Sequence, residues 1–281
     1  MNQSGNLDPF SPRMLRLIAA GLVVINGFFP AVWILLTSLK SEAELVSKPI
    51  TYIPHNPTLQ NYVQAFTDQP LLRYLLNSVS VALLATACSL VISAGAAYAI
   101  ARLNLKRRQL ILTCIVASSM FPLVTLLVPI FETMRTLNLL NTYTALVLPY
   151  IVLNLPVCTL VLVSFFQAIP KDLENAAMID GCTRMGALWR VVVPLSAPGV
   201  FTAGILAFVN SWDEFLLALS LNSSATMRTL PVGITLYQGE FTFPWPIISA
   251  ALIVAIVPIA VLIAVFQERV VGGLTQGGLK G

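Results

Sequence analysis

The side chains that could do catalytic chemistry are few in this chain. Its only histidine, His55, lies in a Pro-rich loop, so no serine or cysteine has a credible histidine partner, which argues against a protease or hydrolase. No Gly-rich loop ends in Gly-Lys-Ser/Thr, the pattern that cradles nucleotide phosphates, and no His-Glu-x-x-His metal motif occurs. The sequence therefore predicts no catalytic residue, no metal site and no cofactor bound by this chain.

The composition indicates a membrane protein. Hydrophobic residues make up 57% of the 281 residues and charged residues only 10%, whereas a soluble domain carries about 25% charge. Several apolar runs are long enough to cross about 30 Å of hydrocarbon, which takes roughly 20 helical residues. These runs are Leu15–Leu39, Tyr74–Ala101, Gln109–Phe131, Tyr143–Phe166, Gly199–Leu219 and Pro246–Phe266. Because lipid offers backbone amides no partner, we predict an all-α membrane protein of six transmembrane helices, with residues 1–281 as a single domain.

The basic residues are distributed unevenly between the two sides of the predicted bundle. One side carries Arg13, Arg16, Arg102, Lys106, Arg107, Arg108, Lys171, Arg184, Arg190, Arg269 and Lys280. The other side carries Lys40, Lys48, Arg73, Arg135 and Arg228. The positive-inside rule then places both termini and the segment Lys171–Gly199 in the cytoplasm. We interpret the Lys106–Arg108 cluster as an anchor at lipid headgroups, so the net charge of +4 does not indicate nucleic-acid binding.

The polar segment Lys171–Gly199 separates two apolar runs and has the pattern of two short helices. In the first, three residues share one helical face, at i, i+3 and i+4: Leu173, Ala176 and Ala177. Gly181 is suited to end this helix, because glycine takes the left-handed conformation without steric cost. The segment therefore predicts a helix followed by a tight turn.

A second short helix is expected to follow this turn. Thr183 can cap its first turn, and Pro194 is expected to end it. An apolar stripe at helical spacing consists of Met185, Leu188, Trp189, Val192 and Val193. A short helix is marginal in water, so the hairpin needs something to pack on. Either it docks in a groove on a cytoplasmic protein, or it lies on the membrane surface.

Acidic side chains in the fifth apolar run are candidates for lining a path through the membrane. Asp213 and Glu214 follow Trp212 directly, and charge in hydrocarbon is so costly that such groups usually face a cavity or a partner. In one interpretation they line a route for a hydroxylated solute, with Trp212 offering an apolar ring face. In the other they form a contact between helices, or between two membrane proteins, near the interface. Adjacent helical residues diverge by about 100°, so at most one of the pair is expected to face the path.

The polar segment resembles the coupling loop of the inner-membrane permease subunits of ATP-driven importers. That motif has Glu-Ala-Ala, three residues, Gly and a later Pro. The residues that match it are Ala176, Ala177, Asp180, Gly181 and Pro194. Asn175 stands where the family usually has Glu, and Glu174 lies one step earlier. Since one step turns a side chain by about 100° around a helix, Glu174 is a neighbour of the usual carboxylate and not its replacement.

Two further stretches resemble the carbohydrate branch of these importers, which includes the maltose-type permeases. The tail Gly273–Gly281 is similar to that branch's Gly-Leu-Thr-Ala-Gly-Ala-Val-Lys-Gly ending, with Gln276 differing. Trp212–Phe215 is similar to its Trp-Asn-Glu-Phe, with Asp213 in place of Asn. The resemblance implies a type I ABC importer permease fold in the cell inner membrane, with a cytoplasmic coupling helix. Residues 267–281 are expected to form a cytoplasmic tail, extended because they lack apolar periodicity.

The resemblance also implies a function and a set of partners. The chain is expected to form half of the translocation path for a sugar, a di- or oligosaccharide or related polyol, by alternating access. Its expected partners are a homologous second permease subunit, a dimer of ATPase subunits that bind ATP and Mg²⁺, and an extracytoplasmic sugar-binding protein. The expected coupling residues are Glu174, Asn175, Ala176, Ala177, Asp180, Gly181 and Pro194. The expected path residues are Trp212, Asp213 and Glu214.

Two other functions remain open on the sequence. An ion-coupled secondary transporter would need titratable or ion-binding residues near the bilayer midplane, and Asp213 and Glu214 are the only acidic residues in the predicted spans. A membrane scaffold would bind a cytoplasmic protein through the hairpin but would move no solute.

Overall fold

The structure is a computed structural model that describes residues 12–239 and 242–278. Helices and connecting loops make up these residues, with no strand among them, which confirms the predicted all-α class. In chain order the first helices are α1 (Pro12–Ser38), α2 (Glu42–Leu45), α3 (Gln60–Asp68), α4 (Leu71–Arg102), α5 (Arg108–Ser119), α6 (Leu123–Thr136) and α7 (Tyr143–Ala168). They are followed by α8 (Lys171–Ile179), α9 (Arg184–Ala187), a π-helical turn (Leu188–Val192), α10 (Val193–Leu195), α11 (Ala197–Asp213), α12 (Leu216–Leu221), α13 (Leu230–Thr235) and α14 (Trp245–Gly278).

Four of the described helices are continuous and apolar over a length that can cross a membrane. These stretches are Met14–Ser38, Leu71–Arg102, Tyr143–Ala168 and Trp245–Phe266. Two further candidates are pairs of helices joined by a sharp bend, α5 with α6 and the segment Arg184–Leu195 with α11. Counting each pair as one span gives up to six spans. The predicted number of spans is therefore reached only with both bent pairs included.

The third predicted span, Gln109–Phe131, is wrong as a continuous helix. It is divided between α5 and α6, whose axes differ by 87°. The break falls at Pro122, whose backbone is extended (φ −63°, ψ 128°). A proline disfavours the helical conformation for the residue before it and removes a backbone donor, so the helix ends ahead of it and a new helix starts after it.

The fifth predicted span, Gly199–Leu219, is also interrupted. Helix α11 ends at Asp213, and Glu214 is extended (φ −68°, ψ 124°). The Glu214 carboxylate accepts the backbone N–H groups of Leu217 (2.8 Å) and Ala218 (3.1 Å) at the start of α12. Such a side-chain cap satisfies donors that a new helix leaves unpaired, so it stabilises a helix start where a single helix was expected.

The tail was predicted to be extended beyond Phe266, and this is wrong for the residues that the structure describes. Helix α14 runs on to Gly278, and residues 279–281 lie outside the described part. No proline follows Phe266, and Gln267, Glu268 and Arg269 are good helix formers, so nothing stops the helix at the end of its apolar stretch.

The described residues fall into two compact units, one formed by residues up to 69 with 237–254, the other by residues 70–236 with 255–278. The prediction of a single domain over residues 1–281 stays a prediction. In the first unit, the Asn61 amide donates to the backbone oxygens of Ser38 and Lys40, both at 2.8 Å. Buried Lys40 donates to the Thr51 carbonyl, and the Tyr237 hydroxyl donates to the Ala65 carbonyl. These bonds hold the irregular segment after α1 in place.

The predicted loop residue His55 lies in this segment. Its backbone N–H donates to Glu44 Oε1 at 2.9 Å, and Thr51 donates to the same oxygen at 3.1 Å. The hydrogen bond from the His55 backbone lowers the pKa of the Glu44 carboxyl below its ordinary value. The contact is local to the loop and organises its turns.

The second unit is built around α4, α7 and α11. One apolar cluster combines Tyr98 of α4 with Leu162 and Phe166 of α7 and with Ala203 of α11. Another combines Val81, Tyr150 and Leu217 of α4, α7 and α12. Both clusters are buried, and both contain residues of α4 and α7. These two helices therefore support the polar segment and the break between α11 and α12.

A buried glycine in the second unit gives a prediction about stability. A Cβ at Gly233 would overlap the ring of Tyr74, which is fully buried. We expect Gly233→Ala to destabilise the protein by about 1–3 kcal/mol through overpacking, seen as a lower apparent melting temperature in detergent. Gly95→Ala is the matched control, because a Cβ there meets nothing within 4 Å. Equal melting temperatures of the two variants would contradict the packing that the structure shows at Gly233.

Candidate functional site

The polar segment folds as the predicted hairpin, and its turn is set by Gly181. This glycine has φ +91°, a left-handed conformation that side chains other than glycine rarely adopt. The Cys182 N–H donates to the Ala177 carbonyl at 2.9 Å, and the Gly181 N–H to the Met178 carbonyl at 3.1 Å. This pair of bonds is a Schellman motif, which satisfies the last carbonyls of α8. The predicted left-handed turn at Gly181 is thus confirmed.

The second helix of the hairpin starts as predicted but ends differently. Thr183 Oγ1 accepts the Gly186 N–H at 3.1 Å, which confirms the predicted cap. The helix was expected to stop at Pro194, but it continues to Leu195 through the π-helical turn. Pro194 lies in the first turn of α10, where a missing N–H is tolerated, so it does not end the helix.

The apolar stripe of the second helix is divided between two surroundings. Leu188 and Val192 are fully buried in the cluster that contains Tyr98 and Phe166. Met185 is 60% exposed and Trp189 is 42% exposed. Part of the stripe therefore packs on the protein's own helices, which neither interpretation of the sequence foresaw. The exposed side chains of Met185 and Trp189 can contact another molecule.

Helix α8 is anchored to α4 through Glu174. The Glu174 side chain is buried, only 7% of the residue being exposed, and the Tyr98 hydroxyl donates to its Oε1. Arg102 Nε lies 3.2 Å from its Oε2. Tyr98 and Arg102 both belong to the last turns of α4, so this carboxylate joins the hairpin to the C-terminal end of that helix. Sequence reasoning did not foresee this internal ion pair.

The other coupling residues predicted from the sequence lie mostly on the surface. Asn175, Ala176, Asp180, Gly181 and Pro194 are exposed and Ala177 is half-buried. Exposed apolar side chains accompany them, including Leu173 and Ile179, the latter 85% exposed. The hairpin thus has an inner face fixed to the second unit through Glu174 and an outer face whose side chains are exposed among the described residues.

A cavity of about 510 Å³ lies where α11 breaks. Its lining is mainly apolar, with hydroxyl, amide and carboxylate groups from Ser118, Ser119, Asn154, Asn210 and Glu214. The Asn210 amide donates to Asn154 Oδ1 at 2.8 Å. The Asn154 amide in turn donates to Ser211 Oγ at 2.9 Å. Few oriented polar groups in an apolar cavity are typical of a site for a small molecule.

Glu214 is the only one of the three predicted path residues that lines this cavity. Besides capping α12, it accepts a hydrogen bond from the Tyr150 hydroxyl at 2.6 Å. Trp212 is buried and stacks on Phe208, with ring centroids 5.7 Å apart. Asp213 is exposed at the end of α11 and does not line the cavity. That at most one of the acidic pair faces a path stays a prediction, and the continuous helix on which it was based is broken after Asp213.

Sequence reasoning missed the two asparagines of the cavity. The signal was present, because Asn154 and Asn210 are amides within otherwise apolar runs, where an unpaired polar group is costly. The hydrogen bond between them joins α7 to α11, and neither run alone predicts it. No group of three or more metal-ligating side chains is gathered among the residues that the structure describes.

Comparison with known proteins identifies the family. Residues 69–275 match the family described as binding-protein-dependent transport system inner membrane component. The chain is 72% identical to the sulfoquinovosyl glycerol transport system permease protein SmoH of Agrobacterium fabrum, covering 97% of this chain and 95% of that protein. It is 38% identical to the trehalose/maltose transport system permease protein MalG of Thermococcus litoralis, covering 96% and 97%.

The fold also has a counterpart among solved structures. A chain of a bacterial ABC transporter involved in the import of the acidic polysaccharide alginate superposes with a TM-score of 0.78 at 18% identity, covering 92% of this chain and 98% of that one. At this identity the likeness concerns the fold alone, and it confirms the expected permease fold. The family match confirms the prediction of a transport component and not an enzyme. This chain belongs to the family of binding-protein-dependent transport system inner membrane components.

Proposed function

We propose that this chain is one of two permease subunits of an ATP-driven importer and forms half of the translocation path for a glycoside of a polyol. A homologous permease would supply the other half, and a dimer of ATPase subunits would bind ATP and Mg²⁺. An extracytoplasmic binding protein would deliver the solute. Both termini and the hairpin would lie in the cytoplasm, as the distribution of basic residues favours.

The observation that carries this proposal is the two-sided hairpin. Its inner face is held by buried Glu174, Leu188 and Val192, so a displacement of the hairpin is transmitted to α4 and α7. Its outer face exposes large apolar side chains, among them Ile179 and Met185. Exposed apolar groups on a helix suit a groove on a protein partner. The hairpin therefore has the two faces, one packed on membrane helices and one exposed, that a mechanical link to an ATPase would use.

The solute is proposed from the relatives and from the cavity. The relative that is 72% identical is a permease for sulfoquinovosyl glycerol, and we infer that the same compound or a related glycosyl glycerol is carried here. The cavity of about 510 Å³ falls in the range of about 300–1,000 Å³ that small-molecule sites occupy. Exposed Asn210, held by its hydrogen bond to buried Asn154, offers its amide to sugar hydroxyls, and the surrounding aliphatic side chains offer surface to the sugar's apolar faces.

The test is reconstitution of the chain in proteoliposomes with the permease and ATPase that co-purify with it and with the matching binding protein. We expect uptake of sulfoquinovosyl glycerol that needs ATP on the side of the ATPase. Uptake that survives ATP depletion but collapses with the proton gradient would contradict the proposal and favour an ion-coupled transporter. Retention of the ATPase without transport of this compound, of trehalose or of maltose would favour a scaffold.

Asn210 provides a prediction about solute affinity. Asn210→Ala removes a cavity amide and one hydrogen bond to Asn154. Because a hydrogen bond contributes about 0.5–1.5 kcal/mol, we expect the KM of uptake to rise up to about tenfold with little change in ATP hydrolysis. Ser164→Ala is the control, since Ser164 is exposed on the same bundle and its hydroxyl bonds only its own helix. An unchanged KM in Asn210→Ala would remove this residue from the solute path.

A further inference from the structure

A second cavity of about 470 Å³ lies between the end of α4 and the hairpin. Its polar lining comes from Arg102, Asn104, Lys171, Glu174, Asn175 and Arg184. Three of these side chains are cationic and one is anionic. The cavity therefore carries an excess of positive charge, in a position that the solute path does not use.

The single carboxylate of the cavity is already engaged. Glu174 is shared by the Tyr98 hydroxyl and the Arg102 guanidinium. Even so, Arg102 Nη2 is buried without a hydrogen-bond partner among the described residues. Lys171 and Arg184 form no ion pair within the part of the chain that the structure describes. Lys171 and Arg184 are exposed, whereas the Arg102 side chain is only 4% exposed. A buried donor left without a partner is unfavourable, so Arg102 Nη2 makes the cavity suited to receive an anion.

We propose that this basic cavity receives the carboxylate of an aspartate or glutamate from the partner ATPase. The proposal rests on the proposed function, and it adds the charge that the ATPase must present. Arg102 Nη2 would donate to the incoming carboxylate, and exposed Lys171 and Arg184 would add positive charge around it. The amides of Asn104 and Asn175 would donate to its remaining lone pairs. The ion pair would fix the register of the hairpin in its groove, as charge complementarity does at other interfaces.

A protein carboxylate fits this cavity better than a lipid phosphate. Asp172 in α8 and Asp180 directly after it are exposed, and their charges repel an anionic membrane surface. A protein partner can place its own acidic group in the cavity while keeping other groups away from those two aspartates. The mixed charges of the hairpin therefore favour a partner with a defined pattern of charges.

Binding of the ATPase to the nanodisc-embedded chain tests the proposal, with its Kd measured between low and high salt. We expect the double variant Lys171→Gln, Arg184→Gln to bind about tenfold to thirtyfold more weakly at low salt, and its Kd to depend less on salt. The control is Arg107→Gln, Arg190→Gln, which removes two exposed cations that do not line the cavity. We expect this control to bind within about fivefold of wild type.

Zero-length cross-linking identifies the anion directly. A carbodiimide should join Lys171 Nζ to an acidic residue of the ATPase, found by mass spectrometry, and Lys171→Arg should abolish that product because a guanidinium does not react. Cross-links confined to this chain, together with unchanged Kd values in the double variant, would overturn the proposal. It would also be overturned if the double variant lost binding to anionic vesicles but not to the ATPase. If the wild-type chain binds no ATPase, the proposed function itself fails.

Discussion

Replacing Glu174 by Ala is expected to abolish ATP-driven uptake while the ATPase stays bound and continues to hydrolyse ATP. The Glu174 carboxylate joins α8 to the end of α4 through Tyr98 and Arg102. Without it, the outer face of the hairpin can still dock, but its movement is no longer passed to the membrane helices. The measurement is the ratio of solute taken up to ATP hydrolysed in proteoliposomes.

Glu174→Ala is also expected to lower the free energy of unfolding. This loss of stability must be distinguished from a loss of coupling. The Arg102 side chain is only 4% exposed, and removing one partner of a buried ion pair costs about 3–5 kcal/mol because the other charge is left uncompensated. The double variant Glu174→Leu, Arg102→Met removes both charges and is expected to recover most of the melting temperature. Its uptake should remain lost if the ion pair serves coupling.

Asp172→Ala is the control for Glu174, because Asp172 is an exposed carboxylate on the same helix. Loss of a charge near a helix N-terminus costs about 0.3–1 kcal/mol, so we expect nearly normal uptake and stability. Wild-type uptake per ATP in Glu174→Ala would show that the hairpin communicates with the bundle through other contacts, of which the buried Leu188 and Val192 are the first to test.

Gly181→Pro is expected to abolish uptake without preventing insertion in the membrane. Gly181 has φ +91°, whereas proline is fixed near −65°, and the change also removes the N–H that donates to the Met178 carbonyl. The Schellman turn cannot form, so α8 and α9 lose their relative orientation. Membrane fractionation measures insertion, and proteoliposome assays measure uptake and ATPase binding.

Gly181→Asn is the matched control for the turn. Asparagine enters the left-handed region more readily than other side chains, and a Cβ at this position meets nothing within 4 Å. We expect most of the uptake to be retained. Normal uptake in Gly181→Pro would exclude the hairpin as the coupling element, whatever the behaviour of the asparagine variant.

Features that depend on neighbours along the chain could be predicted from the amino-acid sequence. The apolar runs are long enough to require helices in lipid. The turn at Gly181 and the cap at Thr183 follow from bonds between residues at most five apart. The segment around Ala176-Ala177 and Gly181 also resembled the coupling loop of the permease family, and the match over residues 69–275 confirms that family.

Which side of each helix faces the rest of the protein depends on contacts between distant segments. Spacing predicted an apolar stripe in the second hairpin helix but could not divide it into buried Leu188 and exposed Trp189. The sequence places Glu174 one position before the glutamate that is usual in the family. The inward direction of the Glu174 side chain depends on Tyr98, 76 residues away. Asn154 and Asn210 pair across 56 residues. A helical pattern fixes the angles between side chains but not the rotation of the helix against its neighbours, and that rotation is set by packing between segments far apart in the sequence.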